Sequence, residues 1–229
     1  MNYNEMYQAK LTTPEKLAEA LQSGWTLGMD SGPSQTPALM DAFAARVRGS
    51  DLRDVKVHTM LDVYPYAFYA DDSLAGKMTG YSWFSSGGAR KAVNGGWADF
   101  IPAYYRDIPG HIRSGYSYDA FCVAVSPMDK HGYFSLSCAL GVSRDIIDRA
   151  KVVILEVNEA LPRIHGGERE TVHISEVDCV VEAGYRPLWE MASPPPGETD
   201  RAIAAHIFPH IVDGATVQLG IGGMPNALG

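Results

Sequence analysis

The residue types that could do chemistry collect at a few points, the sharpest being Gly220-Ile221-Gly222-Gly223-Met224-Pro225, directly after the apolar run 215–219. A strand that runs into such a turn and then opens a helix aims successive backbone N–H groups at one point. That arrangement suits a developing oxyanion or a phosphate. A strand-to-helix turn also uses glycine simply to reach a positive φ, and spacing alone leaves both explanations open. Pro225 stands where the dinucleotide fingerprint needs its third glycine, and the Gly-Lys-Ser/Thr ending of a P-loop is missing. What remains is a nest of amides ahead of Pro225 at the first helical position, fit for an oxyanion hole or an acyl-carrier site.

Glu156 is the second candidate. It falls at the carboxyl end of the apolar run 151–158, where open α/β sheets place their ligands, with Asn158 two residues on and on the same face. The alternative is a carboxylate paired with Arg163 or solvated at the strand end. Of the seven histidines only His206 and His210 have helical spacing, but Ile207 stands where a zincin needs glutamate and Pro209 intervenes, so no metal site is expected. Asp129-Lys130-His131-Gly132-Tyr133-Phe134-Ser135 follows a strand, and turn chemistry alone would account for its Asp and Gly. The aromatic residues between 64 and 105 read as core and loop packing or as an oligomer interface.

These residues must be positioned by a chain of 229 residues with 46% hydrophobic content, enough for one large or two small globular domains. A net charge of −8 opposes general binding to nucleic acid or to an anionic membrane, since both demand a basic field. Cys122, Cys138 and Cys179 are odd in number and show no CxxC spacing, which fits a reducing cytoplasm. The amino terminus has no signal-peptide pattern, and no apolar run approaches the length of a membrane span.

Helix and strand signals alternate along the chain. Thr13-Pro14 caps a helix closed by Gly24, residues 25–29 form a strand, 30–34 a loop, and Thr36-Pro37 caps a helix ending at Gly49. Residues 55–61 follow as a strand. The stretch 64–105 is expected to hold loops, a short helix near 89–93 and one or two strands. Residues 120–125 and 151–158 are continuous apolar runs of strand length, as in strands buried on both faces. A helix is expected over 143–150 and a further strand over 177–182. Ser193-Pro194-Pro195-Pro196-Gly197 breaks every pattern and marks a linker between a domain of residues 1–192 and the start of another at 198–229. In the latter, Thr199 is expected to cap a helix carrying Ile203, Ile207 and Ile211, which Pro209 shortens, before the terminal strand. The fold class is therefore α/β, an open and largely parallel sheet covered by helices.

Four ordered blocks together resemble one family. Asp129-Lys130-His131-Gly132-Tyr133-Phe134-Ser135, Glu156-Val157-Asn158-Glu159-Ala160-Leu161-Pro162-Arg163, Val172-His173-Ile174-Ser175-Glu176-Val177-Asp178 and the run from Asp213 through Gly220-Ile221-Gly222-Gly223-Met224-Pro225 to Ala227 look like the acetyl-CoA hydrolase/transferase family. Within it, the resemblance is to CoA-transferases of the 4-hydroxybutyrate and butyrate type. It runs through the whole chain and is weakest over 64–105, which leaves acyl specificity open.

The resemblance implies a two-domain enzyme of which this chain is the front part, with a nucleophilic glutamate beyond Gly229. It implies that Gly220, Ile221, Gly222, Gly223 and Met224 contribute to CoA binding and that the Ile221 amide donates to the oxyanion. Coenzyme A would be a substrate, with no tightly bound cofactor and no metal. The partners would be an acyl-CoA and a short-chain carboxylate, in a cytoplasmic homo-oligomer. The expected activity is CoA transfer, with thioester hydrolysis or a non-catalytic CoA- or nucleotide-binding module as alternatives.

Overall fold

Eight short parallel strands form one sheet in the computed structural model, which describes residues 2–167, 169–190 and 195–229. In chain order they are β1 (Leu11–Thr12), β2 (Thr26–Ser31), β3 (Val55–Met60), β4 (Met78–Ser82), β5 (Asp99–Phe100), β6 (Ala120–Val125), β8 (Val153–Val157) and β10 (Cys179–Glu182). β7 (Tyr133–Ser135) and β9 (Thr171–His173) pair antiparallel in a small second sheet. The large sheet runs β1-β10-β8-β6-β2-β3-β4-β5. From β2 the chain winds outward to β5, then returns to β6 on the other side and winds outward to β10. The order reverses between β2 and β6, and in open α/β sheets ligands bind beyond the carboxyl ends of the strands at such a point.

The run 120–125 shows why the sheet is covered on both faces. Ala120 and Cys122 enter one apolar cluster with Leu27, Val57, Leu39 and Phe43, whereas Phe121, Val123 and Val125 enter another with Leu155, Ile112 and Ile146. All six residues of β6 are buried, as a continuous apolar strand requires. The first face is covered by α2 (Pro14–Glu19), α3 (Pro37–Arg48) and α5 (Gly87–Gly95), the second by α6 (Ile108–Gly115) and α7 (Ser143–Ile147). α1 (Tyr3–Lys10) and α4 (Ala67–Ala70) complete this part.

Several boundaries differ from the sequence expectation. β2 extends through Asp30 and Ser31, and a 3-10 turn over Gly32–Ser34 replaces the expected loop. β3 stops at Met60 because Leu61 has φ +52, outside the extended range. α6 was not expected at all. Its apolar face is the pair Ile108 and Ile112, too short a pattern to stand out beside Pro109. α2 ends at Glu19, short of Gly24, and the helix after β7 ends at Ile147 instead of 150. The strand ending at Glu182 begins at Cys179, because Ile174–Glu176 is a 3-10 turn.

The chain divides into two compact units, Met1–Trp189 and Glu190–Gly229. Of the expected boundary and linker, residues 192, 193 and 194 lie outside the described residues. The second unit contains α8 (Glu198–Ile207), a 3-10 turn at Phe208–His210 and α9 (Gly223–Leu228). Gly197, not Thr199, holds the N-cap of α8, and its N–H donates to the Asp200 carboxylate at 2.8 Å. The expected strand over 215–219 is not formed. Val217 and Leu219 are about half exposed, and no neighbouring strand answers their backbone groups among the described residues.

Candidate functional site

Polar groups crowd the carboxyl ends of the strands beside the reversal point. Asp30 near the end of β2 is fully buried. Its carboxylate accepts from the Ser31 N–H at 2.7 Å and from the Ser143 hydroxyl at the start of α7. Burial pushes this carboxyl up to about 6, against the pull of those hydrogen bonds. Gln35, also fully buried, spans to the segment after β3: its amide donates to Asp62 at 2.7 Å and its carbonyl accepts from the Val63 N–H at 3.1 Å. Thr59 donates to the other Asp62 oxygen at 2.8 Å and lies 2.7 Å from the Tyr69 phenol oxygen. Asp62 is likewise raised to about 6 by burial. Between these groups Leu61 holds its positive φ while its carbonyl accepts from the Gly32 N–H at 3.1 Å. A non-glycine residue in that conformation costs about 1–3 kcal/mol, and such strain gathers at functional sites.

Glu156 lies toward the carboxyl end of β8, as expected, but it is neither paired with Arg163 nor solvated. It is fully buried, and one oxygen accepts from the Leu39 N–H in the first turn of α3 at 3.0 Å while the other lies 2.7 Å from the Arg186 guanidinium. Arg163 instead pairs with Asp129 at 2.7 Å. Glu156 thus serves as the anion at the N-terminus of α3, and Thr36, at the N-cap, makes no side-chain capping bond. Desolvation raises the Glu156 carboxyl above its ordinary value, and Arg186 and the Leu39 amide oppose it. Asn158 is the companion residue: its amide donates to the Arg186 carbonyl at 2.9 Å and its carbonyl accepts from the Arg186 N–H at 3.0 Å. The pair Glu156 and Asn158 therefore pins the segment after β10 by both backbone and side chain.

In the second unit Gly220 and Ile221 lead into the turn, Gly222 takes the N-cap of α9 with φ +136, and Gly223 and Met224 begin the helix. Pro225 is thus the third helical residue, not the first. Gly222 holds a conformation open to glycine almost alone. Gly223 differs: a Cβ there would lie 2.5 Å from an Asp200 carboxylate oxygen, so the Asp200 side chain would have to shift. Ile221 is 79% exposed.

The other candidates resolve into local structure. Asp129 accepts from the N–H groups of His131 and Tyr133 at 2.8 and 2.9 Å, and Gly132 has φ +83, so this block is a built turn. His206 lies in α8 and His210 in the 3-10 turn after it, and no group of three or more possible metal ligands occurs among the described residues. Of the aromatic stretch, Tyr66, Phe68, Tyr69 and Trp83 are core, whereas Phe84, Phe100, Tyr104 and Tyr105 are exposed. Asp30, Gln35, Asp62 and Arg186 were not singled out from the sequence. Asp30 offered the one usable signal, a carboxylate directly after the apolar run 25–29.

Comparison with known proteins adds a framework. Residues 1–187 match the acetyl-CoA hydrolase/transferase N-terminal domain. The chain is 34% identical over 227 residues to the succinyl-CoA:cyclohexane-1-carboxylate CoA transferase of Geobacter metallireducens, covering 99% of this chain and 50% of that protein. It is 35% identical over 231 residues to the butyryl-CoA:acetate CoA-transferase of Anaerostipes caccae, covering 100% and 51%. The crystal structure of RipA from Yersinia pestis superposes with a TM-score of 0.91 at 32% identity, covering 100% of this chain and 54% of that one. The chain spans about half the length of the curated relatives it matches.

Proposed function

The chain belongs to the acetyl-CoA hydrolase/transferase family, and from that membership we propose that it forms the N-terminal part of an acyl-CoA:carboxylate CoA-transferase acting on short-chain acids. The observation that carries this reading is similarity along the entire chain to proteins named as CoA transferases, at 34% and 35% identity. In the proposed sequence a glutamate carboxylate attacks the acyl-CoA thioester, giving an acyl-glutamyl anhydride and CoA thiolate. The thiolate then attacks the glutamyl carbonyl, releasing the first acid and leaving a glutamyl-CoA thioester. An acceptor carboxylate reverses both steps and leaves as the new acyl-CoA. Every step passes through a tetrahedral oxyanion, so fixed N–H donors matter more than an acid or base.

The carboxylates at the strand ends are poorly suited to the nucleophile's role. Glu156 and Asp30 are fully buried and already hydrogen-bonded, and both oxygens of Asp62 accept bonds. In line with the family resemblance, the nucleophile is proposed to be a glutamate beyond Gly229. It gives the turn Gly220, Ile221, Gly222, Gly223 and Met224 to CoA, with the Ile221 amide as oxyanion donor. CoA is a substrate, and its transfer between carboxylates needs no redox or metal cofactor. No helix among the described residues is long and apolar enough to cross a membrane.

The test is product analysis with the full protein that carries this chain. Incubation of acetyl-CoA with butyrate should yield butyryl-CoA and acetate in equal amounts, and hydroxylamine should trap the glutamyl thioester. Release of free CoA thiol at the same rate without any acceptor acid would replace transfer by hydrolysis. Absence of both reactions would leave a binding module.

A further inference from the structure

A cavity of about 340 Å³ lies beyond the carboxyl ends of β3 and β4, between the segment that leaves β3 and the start of α5. Tyr64, Tyr66 and Tyr69 form its aromatic wall, and Ser86, Gly88 and Lys91 face them. α5 is nine residues long, and its first intrahelical bond runs from the Arg90 N–H to the Ser86 carbonyl at 2.8 Å. The N–H groups of Gly87, Gly88 and Ala89 come before that bond, so the helix cannot satisfy them. Ser86 holds the N-cap but makes no capping bond with its side chain.

Independent signs of a missing partner surround this helix end. The hydroxyl oxygens of Ser86, Ser85 and Tyr64 are withdrawn from solvent and have no hydrogen-bond partner among the described residues. Buried polar groups left without partners are rare enough to call for an explanation. Gly87 and Gly88 add to the pattern. A Cβ at either would meet nothing within 4 Å, and neither has a positive φ, so neither packing nor backbone geometry requires glycine there. Glycine loses more backbone freedom on folding than alanine would, and what the two glycines provide here is unobstructed access to the amides.

We propose that this cavity is an oxyanion subsite, in which a carboxylate or phosphate group is held by the first amides of α5, the Ser86 and Tyr64 hydroxyls and the Lys91 ammonium. The donors converge from a helix N-terminus, which favours negative charge, and from a side chain that carries a positive one. Asp62 is the one acid lining the cavity among the described residues, and its oxygens are already turned to Gln35 and Thr59. The carrier of the oxyanion rests on the proposed CoA transfer: a second carboxylate on the exchanged acid, or a phosphate of CoA.

Binding to the full protein, read by calorimetry without turnover, tests the subsite separately from the reaction. The ligands are succinate, butyrate, acetyl-CoA and acetyl-dephospho-CoA, each titrated into wild type, Ser86→Ala/Lys91→Met and Lys91→Arg. A loss of tenfold or more for succinate in the double variant, with butyrate unchanged, supports the subsite and assigns it to a distal carboxylate. The same loss for acetyl-CoA but not for acetyl-dephospho-CoA supports it and assigns it to the CoA 3′-phosphate. Lys91→Arg should stay within about threefold of wild type in either case. If the double variant does not fold, Lys91→Met alone changes an exposed side chain and should show a loss of at least threefold. Unchanged affinity for succinate and acetyl-CoA in a folded variant overturns the subsite, whether or not CoA transfer is observed.

Discussion

Glu156 and Ile221 hold functional groups in opposite ways. At the carboxyl edge of the sheet Glu156 has no exposure, and two elements distant in sequence, α3 and the segment after β10, supply its partners. At the glycine turn Ile221 is 79% exposed, and the conformation is set locally by Gly222 at φ +136 and by the bare Gly223 beside Asp200. The first region spends its polar groups on architecture, and the second keeps its backbone open. Proximity to strand ends is therefore a weaker sign of reactivity than unspent donors.

The largest effect should come from removing a spent group. Glu156→Ala leaves the Leu39 N–H and the Arg186 guanidinium unanswered, and breaking a buried pair costs about 3–5 kcal/mol. The lower end applies, since the Arg186 side chain retains 24% exposure. Glu156→Gln keeps an acceptor for Leu39 and should cost less. Denaturant unfolding of the full protein checks this, and a loss below about 1 kcal/mol for the alanine variant would mean that the carboxylate is not structural.

At the turn the effect should fall on rate instead. If the Ile221 amide donates to the oxyanion, Gly222→Val, which cannot hold φ +136 without strain, should lower turnover about a hundredfold, or ~3 kcal/mol, in a protein that still folds. Ile221→Ala keeps the amide and should cost less than about tenfold. Steady-state kinetics with thermal melts decide, and near-normal turnover in a folded Gly222→Val enzyme would make the loop merely a turn.

The same contrast explains what could be read from the sequence. β6 was legible to the residue because an apolar run with no alternation has one natural home, a strand covered on both faces. The starts of α2 and α3 were legible because Pro14 and Pro37 are local signals. Glu156 was placed correctly at its strand end, but its partner was not. Arg163 was the cation close in sequence, whereas Arg186 is brought in by the pairing of β10 with β8. Gln35 and Asp62 became visible only when β2 and β3 lay side by side. The strand expected at 215–219 had the right composition, and strand pairing depends on a neighbour that composition cannot provide.

Asp30 gives a smaller effect with a distinctive pH signature. Its folded value of about 6 lies above the ordinary carboxylate range, so between about pH 4 and 6 the native state keeps a proton that the unfolded chain has released. Stability contributed by this group therefore falls as pH rises through that window and stays lowered above it. Asp30→Asn removes the penalty while its amide can still donate to the Ser143 hydroxyl, which also donates to the Leu140 carbonyl at 2.9 Å. The variant should be more stable than wild type by about 3 kcal/mol at pH 7.5 and should lose that gain near pH 4. Melting curves across this range test it, and a gain independent of pH would remove ionisation as the cause.

The smallest expected effect concerns the pair that replaced the sequence expectation. Arg163 and Asp129 are 35% and 23% exposed, and bridges between partly solvated groups contribute about 0–1 kcal/mol. Arg163→Ala should therefore cost less than about 1 kcal/mol, a loss that added salt diminishes. Its energetic independence from Glu156 is the sharper point. The two residues share no partner, so the double variant Glu156→Gln/Arg163→Ala should equal the sum of the single variants within about 0.5 kcal/mol. Coupling well above that in a double-mutant cycle would restore Arg163 as the counter-ion of Glu156, and with it the view that the strand-end carboxylate is held by its neighbour in sequence rather than by the strap after β10.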